Sequence, residues 1–450
     1  MNIIIIIVDA LRPDHLKINS YFRDTSPNID NLAKYGTSFS NCYTSLTRTD
    51  PSVTSILTGL FPHNHGIRMV DNARISPNIS SLPQILKHHG YKTAYIGEHV
   101  HKYGIEEGFD DFLRTSWNVR NKIKKNLYKI INPKEKIGPA YQYTDTTINW
   151  IKKNIKNKFF VCLHYNELHW PYHSPFENIF DKEYPGKHDF NTLGDGKFTR
   201  GDIIFGNVKL PEGEVEHAIA HYDGNLKYID SQIERLLEFL EKKKLLDDTL
   251  IVLTSDHGEN FGEHGFYFQH GASLYQPSLR TPLILKNEKI IPKGKKIESN
   301  VQLVDIMPTV LDILNIHVLD KIDGASLVPI IKTQTEKARD FVFAESIEEH
   351  FDGNKRVFIK GIKGKWRTMI IGDWKIIYIP HPQEDIFELY DIKKDPHENN
   401  NLIDKEKEIA STMKKKILDF LSLQSNEGDA DISDLTEKSK KLLRKLGYIN

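Results

Sequence analysis

Short runs of β-branched and other apolar residues alternate in this chain with longer segments of helical period, and this alternation limits the possible folds more than any other feature. The candidate strands are Ile3–Val8, Thr93–Gly97, Phe159–His164, Thr249–Thr254 and Pro282–Leu285. Continuous apolar strands are typical of parallel sheets that are covered on both faces. The alternation therefore predicts an α/β fold with three layers, α/β/α, and a mostly parallel central sheet.

A change in composition near Lys332 indicates a domain boundary. Beyond it, short apolar runs separated by turns predict a small C-terminal α+β domain, with strand candidates Asp340–Glu345, Lys365–Gly372 and Asp373–Ile379. The charged amphipathic segment Asp434–Gly447 predicts a final helix. We therefore predict a main domain over residues 1–332, a C-terminal subdomain over 333–425 and a helical tail over 426–450.

Charge and hydrophobicity exclude several classes of partner. The 61 Lys and Arg residues balance the 61 Asp and Glu residues, so the chain has no broad basic field for nucleic acid. The apolar start from Met1 has no basic region, is too short to span a bilayer and soon reaches Asp9. We expect no nucleic-acid partner, no membrane span and a cytoplasmic location. Cys42 and Cys162 are expected to be buried free thiols.

Two candidate strands are followed by side chains that bind metal ions. Asp9 comes directly after the first strand, and Asp256 and His257 follow Thr249–Thr254 in a glycine-rich loop. The carboxyl ends of parallel strands are where α/β proteins bind ligands. Asp9 alone could equally cap the next turn. The many histidines, carboxylates and glycines from Ser255 onward are harder to explain by packing, and carboxylate beside imidazole suits a divalent cation.

Two further residues have the position expected of catalytic groups. Thr49 lies at or just before a predicted helix start, where the backbone N–H groups and the helix dipole favour an anion and an ionised hydroxyl. Its alternative role is a simple helix cap. His169 follows the strand Phe159–His164 and could protonate a leaving group. A structural histidine packed against Trp170 is nearly as good an explanation.

The order of the motifs resembles the sulfatase family of the alkaline phosphatase superfamily along nearly the whole chain. The matching segments are Asp9–Asp14, Thr49–Gly59, Phe61–Gly66, Ser255–Gly258, Gly262–Gly265, Arg280–Leu283, Asp323–Leu327 and Glu388–Asp391. Each motif alone is weak or moderate evidence, whereas the ordered combination is specific for the superfamily. The resemblance implies the three-layer fold, an ester hydrolase and a small-molecule or glycan ester as substrate.

The resemblance also implies a metal centre. One divalent cation would be held by Asp9, Asp256 and His257, with Thr49 as both a ligand and the nucleophile. The ligand types suit manganese, zinc, calcium or magnesium, and the imidazole favours the first two.

Three histidines and one arginine would serve the substrate. The resemblance implies that His169 and His270 act on the substrate's charge and on the leaving group. Together with Thr49 they are the predicted catalytic residues. His264, His270 and Arg12 are the predicted substrate-binding residues, although Arg12 could instead hold the local loop.

The nucleophile segment departs from the sulfatase pattern. Sulfate-cleaving members use a formylglycine made from Cys or Ser in Cys/Ser-x-Pro-x-Arg, whereas this chain has Thr49 and Val53. The family's Gly-Lys-Trp-His segment aligns with residues 97–100, where Glu98 replaces Lys. These changes favour phosphate mono- or diester cleavage through Thr49. The alternatives are a sulfuric ester hydrolase that works without formylglycine, a phosphoryl transferase, or a non-catalytic protein that binds glycans or anions.

A second metal site is the least supported prediction. His217 and His221 are four residues apart on a long predicted helix and could share a face. Exposed helix histidines are the alternative explanation.

Overall fold

The computed structural model describes most of the chain. The described residues are 1–68, 74–98, 104–114, 138–170, 172, 174–176, 179–181, 212–318, 321–333, 339–347, 349–352, 355–358, 365–380 and 384–424. The predicted tail over 426–450, with its helix Asp434–Gly447, lies outside these residues. So do His99 and Val100 of the segment that aligns with Gly-Lys-Trp-His.

Among the described residues, ten strands precede the C-terminal subdomain. They are β1 (Asn2–Val8), β2 (Thr37–Tyr43), β3 (Lys92–Ile96), β4 (Asp111–Leu113), β5 (Phe159–Tyr165), β6 (Thr249–Thr254), β7 (Asn260–Phe261), β8 (Tyr267–Gln269), β9 (Arg280–Lys286) and β10 (Lys295–Gln302). Eight of them form one sheet in the order β10-β2-β9-β6-β1-β5-β3-β4, and β7 and β8 form a separate hairpin. Only β9 runs antiparallel to its neighbours among the described strands of the large sheet. The predicted mostly parallel sheet is confirmed.

Helices cover both faces of this sheet. In chain order the α-helices are α1 (Pro27–Lys34), α2 (Thr49–Thr58), α3 (Pro62–His65), α4 (Leu82–His88), α5 (Pro139–Asn154), α6 (Glu212–Lys242), α7 (Gln276–Leu279), α8 (Ile306–Ile313), α9 (Val328–Lys332) and α10 (Lys407–Gln424). The apolar residues of α1, α5 and α6 pack on one face, and those of α2, α4, α8 and α9 pack on the other. The predicted three-layer α/β/α arrangement is confirmed.

The central strand β1 explains the continuous apolar start of the chain. Its odd-numbered residues Ile3, Ile5 and Ile7 belong to the core under α2, and its even-numbered residues belong to the core under α6. Successive side chains of a strand point to opposite faces, so a strand buried on both faces needs apolar residues at every position. β1 pairs in parallel with β5 on one side and with β6 on the other, which places three carboxyl ends side by side.

The C-terminal part of the chain forms a smaller antiparallel sheet. The strands of this part of the chain are β11 (Val342–Glu345), β12 (Glu349–Asp352), β13 (Lys355–Phe358), β14 (Arg367–Ile371), β15 (Trp374–Ile379) and β16 (Ile386–Asp391). The order of the strands in the sheet is β11-β14-β15-β16. Among the described strands β12 pairs only with β13, and these two form a separate hairpin. The long helix α10 contributes several apolar residues to the core on this sheet. The predicted small α+β domain is therefore confirmed.

Three strands of the large sheet, β2, β4 and β10, were not expected from sequence. β2 and β10 pair in parallel at one end of the sheet, and both contain many polar residues. Outer strands of a sheet are buried less completely, so their sequences lack the continuous apolar run that identifies central strands. Among the described residues no helix has both the length and the apolar character needed to cross a membrane.

Candidate active site

The predicted ligands meet at the carboxyl ends of two neighbouring strands. Asp9 directly follows β1, and Asp256 lies two residues after the end of β6. Both carboxylates are completely buried, and they continue the face of the sheet that α2 covers. The parallel pairing of β1 with β6 brings these two distant parts of the sequence together.

His257 faces both carboxylates through one ring nitrogen. Its Nδ1–H donates to the backbone oxygen of Gly258 at 2.8 Å, which leaves Nε2 as the nitrogen with the lone pair. Nε2 lies 3.6 Å from Oδ1 of Asp9 and 3.3 Å from Oδ2 of Asp256. A backbone acceptor on the opposite nitrogen is the usual orientation of a histidine that binds a metal.

Thr49 completes this group from the helix side. It is the first residue of α2, it is nearly buried, and its Oγ1 lies 3.2 Å from Nε2 of His257. The Ser52 hydroxyl donates to the backbone oxygen of Asp256 at 2.6 Å and so holds the start of α2 against the end of β6. The prediction that Thr49 stands at a helix N-terminus is confirmed, whereas its roles as metal ligand and nucleophile stay predictions.

The electrostatics of the pocket suit a bound cation. Burial raises the pKa of the Asp9 carboxyl well above its usual value, and the nearby carboxylates of Asp256, Glu259 and Asp50 raise it further. Without a cation, it is energetically unfavourable to bury two carboxylates and an imidazole lone pair that face one another, because their negative charges and lone pair repel one another. A divalent cation among them would reverse this effect, so the residues fit the metal centre that the family resemblance implies.

One residue of this group was given no role from sequence. His164, on β5, is buried, and it offers a ring nitrogen within 4.8 Å of ligand atoms of Asp9 and Asp256. The residues Phe160 and Cys162 lie on the same face of β5. The strand period of two therefore predicts that His164 points to this face of the sheet. That prediction points to the metal site only once β5 is known to lie next to β1.

The loop after Asp9 is held by bonds from three directions. Ala10 has a φ of 58°, a left-handed conformation that is uncommon for a residue with a side chain. Its N–H donates to Oδ1 of Asp256 at 3.1 Å. The hydroxyl of Tyr222, on α6, donates to the backbone oxygen of Ala10 at 2.8 Å and accepts from the N–H of Arg12 at 2.9 Å. Tyr222 is thus a positioning residue that sequence analysis did not identify.

Arg12 binds carboxylates of its own protein. Its guanidinium forms a two-pronged contact with Asp14, at 3.0 and 2.6 Å, and a 2.7 Å contact with Glu263. It also lies over the ring of Phe261. These contacts support the alternative in which Arg12 holds the loops together, and its predicted contact with substrate stays a prediction.

His169 and His270 lie next to each other beside His257. The ring of His270 stacks on that of His257 with centroids 4.0 Å apart, and it meets the ring of His169 at 5.1 Å. His270 Nδ1 lies 3.4 Å from a carboxylate oxygen of Glu259. His169 donates its Nδ1–H to the backbone oxygen of Trp170 at 2.7 Å, so its Nε2 is the nitrogen that can exchange a proton with a ligand.

The other predicted site residues have partners elsewhere in the protein. His264 stacks on Tyr275 with centroids 3.6 Å apart, and its Nε2–H donates to the backbone oxygen of His397. His217 and His221 share a face of α6, and His217 bonds to the carboxylate of Asp181. The substrate contact of His264 and the second metal at His217 and His221 stay predictions.

Glu98 and Val53 take the places where sulfate-cleaving relatives carry Lys and Arg. Glu98 follows β3 and accepts a hydrogen bond from the Asn166 side chain at 3.2 Å. Val53 is completely buried in the core under α2. Neither position therefore places a basic side chain near Thr49, in agreement with the loss of the formylglycine pattern.

Comparison with known proteins identifies the family. The model of the family called Sulfatase matches residues 1–316, and that of N-sulphoglucosamine sulphohydrolase, C-terminal, matches residues 262–422. The chain is 29% identical to an N-acetylglucosamine-6-O-sulfatase of Bacteroides thetaiotaomicron, over 90% of this chain and 83% of that protein. It is 28% identical to an arylsulfatase of Clostridium perfringens, over 90% of each.

A solved structure has the same fold. The phosphonate monoester hydrolase of Agrobacterium radiobacter superimposes with a TM-score of 0.73 over 97% of this chain and 98% of that one, at 18% sequence identity. At that identity the similarity concerns the fold alone. The sulfatase model, in contrast, covers well over half of the sequence, and it includes Asp9, Thr49, Asp256 and His257. The chain therefore belongs to the sulfatase family.

Proposed function

We propose that this protein is a metal-dependent hydrolase of sulfate esters and that sulfated sugars are its class of substrate. The observation that carries the proposal is the buried group of Asp9, Asp256 and His257 beside the Thr49 hydroxyl. The substrate class is taken from relatives such as the N-acetylglucosamine-6-O-sulfatase and the arylsulfatase, which match along most of their lengths. This proposal differs from the preference for phosphate esters that the Thr49 substitution favoured.

Asp9, Asp256 and His257 would hold one divalent cation, and the imidazole favours zinc. When bound, the cation would stabilise the negative charge that develops on the oxygens of the transferred group. The start of α2 adds to this effect, because the N–H groups of its first turn and the helix dipole favour an anion beside Thr49.

Thr49 supplies the oxygen that attacks. Its Oγ1 lies beside the group of ligands, and as a bond forms between Oγ1 and the sulfur atom of the ester, the hydroxyl proton passes to a water molecule. The bond between sulfur and the sugar oxygen then breaks. Water attacks the sulfur of the Thr49 ester in a second step, which releases sulfate and restores the hydroxyl.

His169 and His270 are placed to serve the leaving group. The Nδ1–H of His169 is bonded to a backbone oxygen, so a protonated His169 can donate its Nε2 proton to the departing sugar oxygen. The ring of His270 contacts those of both His169 and His257. In its cationic form it would add positive charge on the substrate side of the pocket.

Hydrolysis of phosphorus esters is the second candidate. Thr49 cannot be converted to the formylglycine aldehyde, and Glu98 and Val53 replace the basic residues that accompany it. An unmodified hydroxyl nucleophile suits phosphate and phosphonate esters, for which the covalent intermediate is readily hydrolysed. A phosphonate monoester hydrolase has the same fold, so this fold accommodates such substrates.

A comparison of substrates with Thr49 variants tests both candidates. Aryl sulfate, glucosamine 6-sulfate, aryl phosphate, aryl phosphonate and aryl phosphodiester are assayed with the purified protein loaded with Mn²⁺ or Zn²⁺. Thr49→Val keeps the shape of the side chain and removes the hydroxyl, so we expect turnover to fall by about a thousandfold or more. Thr49→Ser should retain measurable activity. Thr58→Val is the matched control, because Thr58 is a buried threonine at the opposite end of α2 that bonds only within its helix and next turn.

The pattern of turnover separates the candidates. A higher kcat/KM for sulfate esters, lost in Thr49→Val and kept in Thr58→Val, supports the proposal. A higher kcat/KM for a phosphorus ester with the same dependence on Thr49 replaces it with the second candidate. Absence of turnover on every ester, with metal bound, contradicts both and favours a binding protein.

A further inference from the structure

His164 lies on the same face of the sheet as the metal-binding residues. β5 is the neighbour of β1 opposite to β6, and Ile7 of β1 pairs with His164 of β5. Phe160 and Cys162 of β5 pack in the core under α2, and the period of two places His164 next on that face. The three strands β5, β1 and β6 therefore each carry one buried polar side chain toward the same point below the start of α2.

The distances agree with this placement. One ligand atom from each of Asp9, His164 and Asp256 lies within 4.8 Å of the other two. Atoms bound to one cation at about 2.0–2.2 Å are separated by no more than about 4.4 Å. With these distances between the three ligand atoms, only small side-chain movements are needed for the atoms to surround an ion.

Tyr95 orients the His164 ring. The phenol oxygen of Tyr95, on β3, lies 2.9 Å from Nδ1 of His164, and both side chains are buried. Gly97 allows this approach, because a Cβ at that position would lie 2.9 Å from the Cβ of His164 and 3.1 Å from the Tyr95 hydroxyl. If Nδ1 carries the proton and donates to Tyr95, Nε2 has a lone pair for a cation, which is the usual arrangement around a metal-bound histidine.

We propose that His164 is a ligand of the metal in this protein, through Nε2, and that it makes the site selective for zinc over calcium and magnesium. The donor set then contains two imidazoles, His164 and His257, and two carboxylates. Imidazole suits zinc, whereas calcium and magnesium prefer sites made of oxygen. The proposal rests on the metal centre of the proposed function, but it concerns metal binding and does not need turnover to be tested.

Metal binding to the full-length protein, freed of metal with a chelator, provides the test. Titrations with Zn²⁺, Mn²⁺, Ca²⁺ and Mg²⁺ are followed by calorimetry for the wild-type protein, His164→Gln and Tyr95→Phe. We expect His164→Gln to weaken Zn²⁺ binding by about 100-fold or more, with little effect on Ca²⁺. Tyr95→Phe removes the partner of the ring and should weaken Zn²⁺ binding by about 10-fold. The visible spectrum of the Co²⁺-loaded protein should change in His164→Gln, because a nitrogen ligand is lost.

His65→Gln is the matched control. His65 is also buried, but its two ring nitrogens bond to the Ser55 hydroxyl and to the N–H of Ile67, so its loss should change stability without changing metal affinity. Wild-type Zn²⁺ affinity and an unchanged Co²⁺ spectrum in His164→Gln would overturn the proposal. If that variant does not fold, an unchanged affinity and Co²⁺ spectrum in Tyr95→Phe would overturn it instead. Tight Zn²⁺ binding that depends on His164, in a protein that hydrolyses no ester, would support this inference while contradicting the proposed function.

Discussion

Replacement of Tyr222 by phenylalanine should show how far the metal centre depends on the loop behind it. The Tyr222 hydroxyl is completely buried and bonds to two backbone groups, the oxygen of Ala10 and the N–H of Arg12. These groups follow Asp9 directly in the sequence. Tyr222→Phe keeps the ring, which packs against Tyr172 and Phe261, and removes only the two hydrogen bonds.

The expected effect can be worked out from these contacts. A buried backbone group that loses its hydrogen bond costs about 1–3 kcal/mol, so the loss of two bonds should lower the free energy of unfolding by about 2–6 kcal/mol. Ala10 is already in a left-handed conformation, which costs a residue with a side chain about 1 kcal/mol. Without its anchor the loop can relax, which would move Asp9 from its place. We therefore expect metal affinity to fall by about 10- to 100-fold.

Two measurements and one control separate the parts of this prediction. Urea denaturation of the metal-free protein gives the change in stability, and calorimetry gives the affinity for Zn²⁺. Tyr228→Phe is the control, since Tyr228 lies on the same helix and its buried hydroxyl accepts the N–H of Gly138, away from Asp9. It should lose stability and keep its metal affinity. If Tyr222→Phe also keeps wild-type affinity, the loop does not depend on this anchor and the reasoning fails.

Two further predictions concern other parts of the fold. Asp230 accepts the N–H groups of Asn28 and Ile29 at the start of α1, and burial raises its pKa to about 7. This carboxyl is protonated more readily in the folded than in the unfolded state, so its contribution to stability is complete below about pH 4 and is lost as the pH rises through about 7, a change on the order of 4 kcal/mol. In urea denaturation, the free energy of unfolding should therefore fall between pH 5 and pH 8, and it should fall less in Asp230→Asn than in the wild-type protein. Equal decreases in the two proteins would contradict the prediction. A Cβ on Gly258 would lie 1.9 Å from the backbone oxygen of Pro277, so Gly258→Ala should displace the adjacent ligand loop, lower stability by about 1–3 kcal/mol and reduce bound metal in elemental analysis. Gly213→Ala, in open space on α6, is its control, and normal metal content in Gly258→Ala would show that the loop tolerates the shift.

The ends of the predicted strands agree with the structure to within two residues. Thr249–Thr254 was predicted with its observed ends, and the predicted Ile3–Val8 differs by one residue from Asn2–Val8. Central strands and long amphipathic helices have strong periodic signals, because their burial depends directly on the pattern of apolar residues. The direction of β9 has no such signal. Its antiparallel pairing with β2 and β6 follows from the path of the chain and not from its local sequence.

The sequence by itself determined the sheet with its two covered faces, the family, and the placement of Asp9, Thr49, Asp256 and His257 in one site. Each of these follows from a local pattern: an apolar run, a motif, or a side chain directly after a strand. The tertiary structure alone decided that His164 lies beside Asp9 and Asp256, that Tyr222 holds the loop behind Asp9 and that Arg12 pairs with Glu263. These contacts join residues that are distant in sequence, and a side chain gives no local sign of its distant partner. They exist because parallel strands and the helices that cover them bring separate segments of the chain to one edge of the sheet.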